Sequence, residues 1–337
     1  MSDIQPRAGG SDFAPGTLPD VTVVVPAKNA ARSLDACLSA LAAHIPSASR
    51  EIIVVDNGST DDTVQRARGH GVRVLEVPQG FVSRVRNEGA RRASGGIVAF
   101  IDADCLVLPE WYDSVVTGLA DPSVGIVGCR HEVPADATWC QSVWHEAQMR
   151  REAEGGRVSY VPAGNCAMRR ELFLTLNGFA ERLETGEDPD LCVRVAQRGY
   201  RVATVRTMRC IHLGEPATLA AVFRRERWHG RGARFFYAGG RVAAVTVATV
   251  LFGVAFIVGA LAFVGSLFGG WRWPILAIPM ALLLPAAFAW RYGSLKSPWR
   301  LIQLWIVYSA YFFGRAASLP VVLRRTWPQA HGVTSAI

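Results

Sequence analysis

Short runs of β-branched residues recur along the first hundred positions, each followed by a segment with helical spacing. VTVVVP (Val21 to Pro26), the apolar Ile52 to Val55 within EIIVVDNGST, VRVLEV (Val72 to Val77) and GGIVAFIDAD (Gly95 to Asp104) have the length and composition of buried strands. Between them, Ser33 to Ala43, Thr60 to Ala67 and Ser83 to Ala93 read as helices, with Ser33 suited to an N-cap and Asp61 and Asp62 enriching a first turn. Strands alternating with helices across short turns predict an α/β domain with a mostly parallel sheet and helices on both faces. Ligands bind such sheets beyond the carboxyl ends of the strands. Pro26, Asp56 and Asp102 all fall at such ends.

From about Arg241 the pattern suits a different solvent. Val242 to Phe268 is apolar and uncharged, long enough to cross a bilayer, and Pro274 to Trp290 gives a second, shorter crossing. Trp271, Trp273 and Trp290 suit interfacial belts, and Arg291, Lys296 and Arg300 fit a return to the cytoplasm. A third apolar stretch, Leu301 to Phe313, is interrupted by Gly314-Arg315. A charge in mid-membrane costs at least about 2.5 kcal/mol, so residues 301–323 read as an interfacial or third membrane helix. The expected organisation is a disordered lead-in over 1–20, a soluble domain over 21–237, a C-terminal α-helical membrane region over 238–325 and a tail over 326–337.

Half of the 337 residues are hydrophobic, and the formal charge is +8. No compact Lys/Arg tract with interleaved aromatics accompanies that charge, which argues against nucleic acid as a partner. The seven cysteines include no C-x-x-C pair, a usage suited to reduced thiols, and the N-terminus shows no apolar signal-peptide core. Both features place the soluble domain in the cytoplasm, on a multi-pass cell membrane. PAKN, not G-x-G-x-x-G, follows the first strand, and no G-x-x-x-x-G-K-[ST] occurs. Any phosphates must therefore be held by metal and basic side chains.

Three segments carry candidate chemistry. Asp102 and Asp104, at i and i+2 on a strand, would share a face. Two close acids either cap the next helix in solvent or hold a hard divalent ion such as Mg²⁺ or Mn²⁺. Glu187 and Asp188 precede a helical apolar pattern through Leu191 and Val195. They serve either as N-terminal helix carboxylates or as a general base acting on a hydroxyl. Arg224-Arg225-Glu226-Arg227-Trp228 is either a juxtamembrane basic segment on anionic lipid or a cation and aromatic set for a diphosphate and a sugar ring.

Together these segments resemble the family 2 glycosyltransferases of GT-A fold, over about Val21 to Trp228. VVVPAKN resembles the family's opening strand, which implies that Pro26 and Asn29 lie near the base and ribose. VVDNGSTDDT is similar to its second signature, with Asp56 toward the nucleobase. RVRNEGARRASGGIVAFIDAD resembles the stretch leading to the D-x-D motif, with Arg86 and Asn87 near the nucleotide. The resemblance implies that Asp102 serves the donor and Asp104, with Asp102, the metal. GEDPDLCVRVAQRGY resembles the acceptor-side signature, in which Asp188 is the base beside Glu187. RRERW fits (Q/R)-x-x-R-W through Arg224, Arg227 and Trp228. Gly164-Asn165 resembles a loop of acceptor or donor-sugar contacts, and His212 a histidine that approaches the metal or diphosphate. The implied activity is inverting, metal-dependent transfer of one sugar from a nucleotide-sugar, UDP favoured, to a membrane-embedded or lipid-linked acceptor in exopolysaccharide or glycolipid synthesis. The alternatives are a short-chain processive synthase and an inactive nucleotide-binding scaffold.

Overall fold

A computed structural model describes residues 21–153, 158–235, 244–268, 277–293 and 297–320. The expected lead-in over 1–20, the tail over 326–337 and the expected boundary at 237 lie outside these. The chain forms two compact units.

The first unit comprises the chain up to Glu132 with Arg157–Arg182 and Glu187–Gly214. Its elements are β1 (Val21–Ala27), α1 (Leu34–His44), β2 (Arg50–Asp56), α2 (Thr63–Gly69), β3 (Arg73–Glu76), α3 (Val82–Arg91), β4 (Ile97–Ile101), β5 (Cys105–Val107), α4 (Trp111–Leu119) and β6 (Val124–Gly128). After α5 (Trp139–Ala153), which belongs to the second unit, come β7 (Asn165–Arg169), α6 (Arg170–Thr175), α7 (Glu187–Gln197), β8 (Arg201–Thr204) and β9 (Cys210–His212). Seven strands form one sheet in the order β3-β2-β1-β4-β7-β6-β8. All neighbours run parallel except β7, which is antiparallel to both β4 and β6. The expected α/β architecture of GT-A type, with a mostly parallel sheet, is thus the observed one.

The pleat explains why β1 reads as an unbroken apolar run. Val23 and Val25 join Leu34, Cys37, Leu38 and Leu41 of α1 in one core cluster, whereas Val24 joins Val85 and Ala90 of α3 in the other. Gly89 lets α3 approach closely, since a Cβ there would lie 2.4 Å from Val24 Cγ1.

Strand β4 stops at Ile101, three residues before the end expected from its sequence. Asp102-Ala103-Asp104 is a tight turn, closed by Cys105 N–H donating to Asp102 C=O at 2.9 Å, that leads into a separate two-stranded ribbon of β5 and β9. The two carboxylates therefore do not share a strand face. Pairing with β7 ends at Ile101 opposite Asn165, and beyond that point the backbone is free to turn.

The second unit gathers Val133–Gly156, Leu183–Gly186 and the chain from Glu215 onward. Its helices are α5, α8 (Leu219–His229), α9 (Ala244–Phe268), α10 (Ala277–Tyr292) and α11 (Pro298–Ala316). Trp144, Val222, Phe252, Tyr308, Tyr311 and Phe312 form its core, so α5 and α8 pack with the C-terminal helices. Helix α11 passes through Gly314-Arg315 unbroken. Gly314 brings it against the Phe223 carbonyl, and Arg315 Nε donates to the buried Glu226 Oε2 at 2.8 Å.

Among the described residues one helix is long and apolar enough to cross a membrane. It is α9, whose segment Val245–Gly265 has a mean hydropathy of 2.6. It leaves Leu251, Ile257 and Leu261 exposed. The expected second crossing, Pro274 to Trp290, begins outside the described residues; within them α10 has 16 residues with Pro285 inside it. One qualifying helix among the described residues does not support the expectation of a multi-pass membrane protein.

Candidate active site

The carboxyl ends of β1, β2 and β4, together with the start of the reversed β7, bring most of the expected residues of the first unit to one edge of the sheet. Pro26 is the penultimate residue of β1, and Asp56 ends β2. Asp56 Oδ2 accepts from the N–H groups of Gly58 and Ser59, each at 3.0 Å. Its Oδ1 is buried without a hydrogen-bond partner, an acceptor suited to an N–H edge such as that of a nucleobase. Asn29 sits in the left-handed region at φ +50°. Its Oδ1 accepts from Thr60 N–H at 2.8 Å, and its own N–H donates to Ser59 Oγ at 2.8 Å. Asn29 thus braces the turn that follows Asp56.

Helix α3 supplies Arg86 and Asn87, both buried. Arg86 Nη2 donates to Asp102 Oδ1 at 2.7 Å, and its Nη1 donates to Glu187 Oε1 at 2.8 Å. One guanidinium therefore ties the Asp102 turn to the first turn of α7. Asn87 clasps the segment before α7: its Nδ2 donates to the Phe179 carbonyl and to Glu181, and its Oδ1 accepts from Phe179 N–H at 2.9 Å. Glu181, which the sequence did not single out, is held below its ordinary range chiefly by Asn87.

Two of the carboxyls are shifted in opposite directions by their surroundings. Burial works to raise Asp102, but the Arg86 guanidinium, aided by His212, leaves its carboxyl below the usual range. Glu187 is committed to Arg86 and nearly inaccessible. Asp188, beside it, is pushed up to about 7 by burial and by the Glu187 carboxylate. Gly186 (φ +85°) turns the chain into α7 just before this pair.

Asp104 Oδ1 lies 3.1 Å from His212 Nε2 on β9. The close approach needs Gly214, where a Cβ would stand 2.1 Å from Asp104 Oδ2. Gly164 has the same relation to Asp102, with a Cβ position 2.4 Å from Asp102 Oδ2. A carboxylate and an imidazole side by side, with a second carboxylate one turn away, form a mixed O and N donor set that fits a divalent cation. Asn165, expected to contact a sugar, turns inward instead. It accepts from Trp111 Nε1 at 2.8 Å and donates to the carbonyls of Cys129 and Met208. His131, which stands in no motif, packs against His212 in a tilted arrangement with ring centroids 4.8 Å apart. Arg224, Arg227 and Trp228 stand exposed on α8, in the second unit.

The profile of glycosyl transferase family 2 matches residues 22–176. Glycosyltransferase AglE of Haloferax volcanii is 27% identical over 209 residues, covering 59% of this chain and 69% of that protein. The pre-mycofactocin glycosyltransferase of Mycobacterium tuberculosis is 29% identical over 242 residues, covering 68% of this chain; the chain spans about half of its length (48%). The mannosyltransferase PcManGT of Pyrobaculum calidifontis, solved with GDP-Man and Mn²⁺, superposes with a TM-score of 0.61 at 24% identity, covering 93% of this chain and 90% of that one. The expected residues from Pro26 to Asn165 lie in the matched span, and the strand order carries Pro26, Asp56 and Asp102 to one edge of the sheet; Glu187, Asp188, His212 and the α8 residues fall beyond that span. Residues 22–176 are thus similar to glycosyl transferase family 2, and the fold that carries them is of GT-A type.

Proposed function

We propose that this protein transfers a sugar from a nucleoside-diphosphate donor to an acceptor hydroxyl by a single, inverting displacement, with Asp188 as the general base. The observation that carries the reading is the Arg86 bridge, which fixes the Asp102 turn relative to the helix bearing Asp188. A base must match the proton it takes, and a carboxyl lifted to about 7 is a far better acceptor than an ordinary aspartate. Glu187 raises its neighbour and stays locked to Arg86, so it positions and tunes Asp188. Asp56 offers its unpaired Oδ1 to the base of the donor.

Asp104 and His212, with Asp102, are the residues that would hold a divalent cation, Mg²⁺ or Mn²⁺. Such an ion supplies Lewis-acid neutralisation of charge growing on a departing diphosphate. The AglE and pre-mycofactocin relatives are themselves glycosyltransferases by name, which supports the reaction class. The exposed apolar flank of α9 supports attachment to a membrane through one helix, and with it a membrane-associated, lipid-linked acceptor. Arg224 and Arg227, one turn apart on α8, are suited to the diphosphate, and Trp228 to a sugar face.

The deciding assay is release of free nucleoside diphosphate by the detergent-solubilised protein. UDP-, GDP- and dTDP-sugars would be offered with Mn²⁺, Mg²⁺ or chelator, and with lipid extract as acceptor source. Release from one donor, dependent on metal and lipid, is the expected result. Binding without release from any donor would favour a nucleotide-binding scaffold, and absence of both would overturn the reading.

A further inference from the structure

The β5–β9 ribbon carries a second donor set that the transfer reaction leaves unused. In its register Cys105 faces His212 and Val107 faces Cys210, so Cys105 and Cys210 lie two positions apart on a shared face. The segment leading to Glu132 runs alongside β9, held by Glu132 N–H on the Cys210 carbonyl at 2.8 Å and by His212 N–H on the Glu132 carbonyl at 2.9 Å. Those backbone bonds place His131 against the two cysteines. One ligand atom from each of Cys105, Cys210 and His131 lies within 4.8 Å of the other two. Both cysteines are fully buried, and His131 Nε2 is buried with no hydrogen-bond partner. The His131 ring lies against that of His212, with a tilt of 39° between their planes.

We propose that Cys105, Cys210 and His131 bind a thiophilic divalent cation of the Zn²⁺ or Cd²⁺ class, at a centre separate from the one built on Asp104. Two sulfurs and an imidazole select a soft or borderline ion over Mg²⁺ or Ca²⁺, which take oxygen ligands. Tetrahedral bonds of about 2.3 Å to sulfur and about 2.0 Å to nitrogen bring donors to within about 4 Å of each other, a small contraction from the observed spacing. Binding forms two metal–thiolate bonds and one metal–imidazole bond, and the two thiol protons leave to solvent. Cys105 also lies within 4.8 Å of donor atoms of Asp104 and His212, so the two centres adjoin, and a water can supply the fourth ligand of the thiophilic ion. The other cysteines share no such arrangement among the described residues. Cys37, Cys166 and Cys192 are buried within apolar clusters as small hydrophobic side chains.

The test is a Co²⁺ titration of the reduced, detergent-solubilised full chain, followed by absorption. One equivalent should give thiolate-to-cobalt charge transfer and the visible bands of tetrahedral Co²⁺, displaced by Zn²⁺ and untouched by excess Mg²⁺. Cys105→Ala and Cys210→Ala should each abolish the charge-transfer band and weaken binding by more than about 100-fold, beyond the loss of an outer-shell partner. Asp104→Asn should leave the band in place. X-ray absorption at the zinc edge of the unmodified protein needs no variant and should find two sulfur scatterers. Nitrogen and oxygen scatterers alone, a band lost in Asp104→Asn but kept in both cysteine variants, or no binding of Co²⁺ would each overturn the site. None of these readouts depends on sugar transfer, so failure here leaves the proposed reaction standing, and the reverse.

Discussion

Arg86 and Asp102 form an ion pair at 2.7 Å in which the arginine side chain is only 5% exposed. The family resemblance points Arg86 toward the nucleotide, yet its guanidinium is turned to two carboxylates of its own chain. Breaking a buried pair by removing one partner costs about 3–5 kcal/mol, because the remaining charge is left uncompensated. Arg86→Met should therefore lower the unfolding free energy of the first unit near neutral pH by about 3 kcal/mol. Arg86→Lys should recover only part of it, since a single ammonium cannot span both acids as a guanidinium does. Urea denaturation followed by circular dichroism measures both.

The raised Asp188 gives a pH dependence with a definite sign. A base acts only when deprotonated, so kcat/KM should fall about tenfold per pH unit below about 7 and level off above it. Stability runs the other way. The folded carboxyl prefers its proton up to about 7, whereas the unfolded one loses it near 3.8, so ionisation at higher pH costs the fold stability. Asp188→Asn should lose roughly 10²–10⁴ in rate. It should also raise Tm near pH 8, by an amount that shrinks steadily as the pH falls toward 3.8. A variant that is slow but no more stable at alkaline pH would mean that the carboxylate is not held at a cost.

Gly164→Ala tests the steric fit of the Asp102 turn. The new Cβ, 2.4 Å from Asp102 Oδ2, must push that carboxylate away, and it would also crowd His131 Nε2 at 3.1 Å. A displacement of about 1 Å in a positioned group can cost roughly 10²-fold in rate. Turnover should drop on that scale while thermal unfolding moves little, because the yielding atom is the end of a side chain. Parallel kinetics and melting curves separate the two effects.

In the helical unit, Glu226→Gln should destabilise by about 3 kcal/mol, leaving Arg315 facing an uncharged amide. Glu226→Gln with Arg315→Met should recover much of that loss. Melting of the double and single variants in detergent would reveal the coupling, and additive losses would exclude it.

The strands carrying Pro26, Asp56 and Asp102 were legible because both faces of the sheet are covered, which turns each central strand into a continuous β-branched run. The position of β7 was not, since the direction of a strand leaves no mark on its own composition. Nor did the sequence reveal the β5–β9 ribbon, whose three-residue strands are too short for a period to register. Asp102 and Asp104 were found by residue type, although their convergence comes from a turn and not from strand alternation. Asn29 and Asn165 were expected to contact ligand through the family resemblance alone. Each instead satisfies the protein's own turn or carbonyls. His131 carried no signal, as its partners lie 26 and 79 positions away at Cys105 and Cys210. Helices α5 and α8 read as soluble because about half of each is polar, while Cys140, Val143, Trp144, Ala147 and Val222 form the face that joins the C-terminal helices.

Because β7 runs against its neighbours, the residues just before it, and not those after it, arrive beside Asp102. Within residues 158–164, Val161 and Ala163 hold the core and Gly164 leaves room for Asp102, while the register of Ile97–Ile101 against Asn165–Arg169 locks the sheet behind them. Variation is therefore open only at the remaining positions of that segment: a graft between related domains that keeps those three residues would change what stands beside Asp102 while the arginine clamp stays where it is.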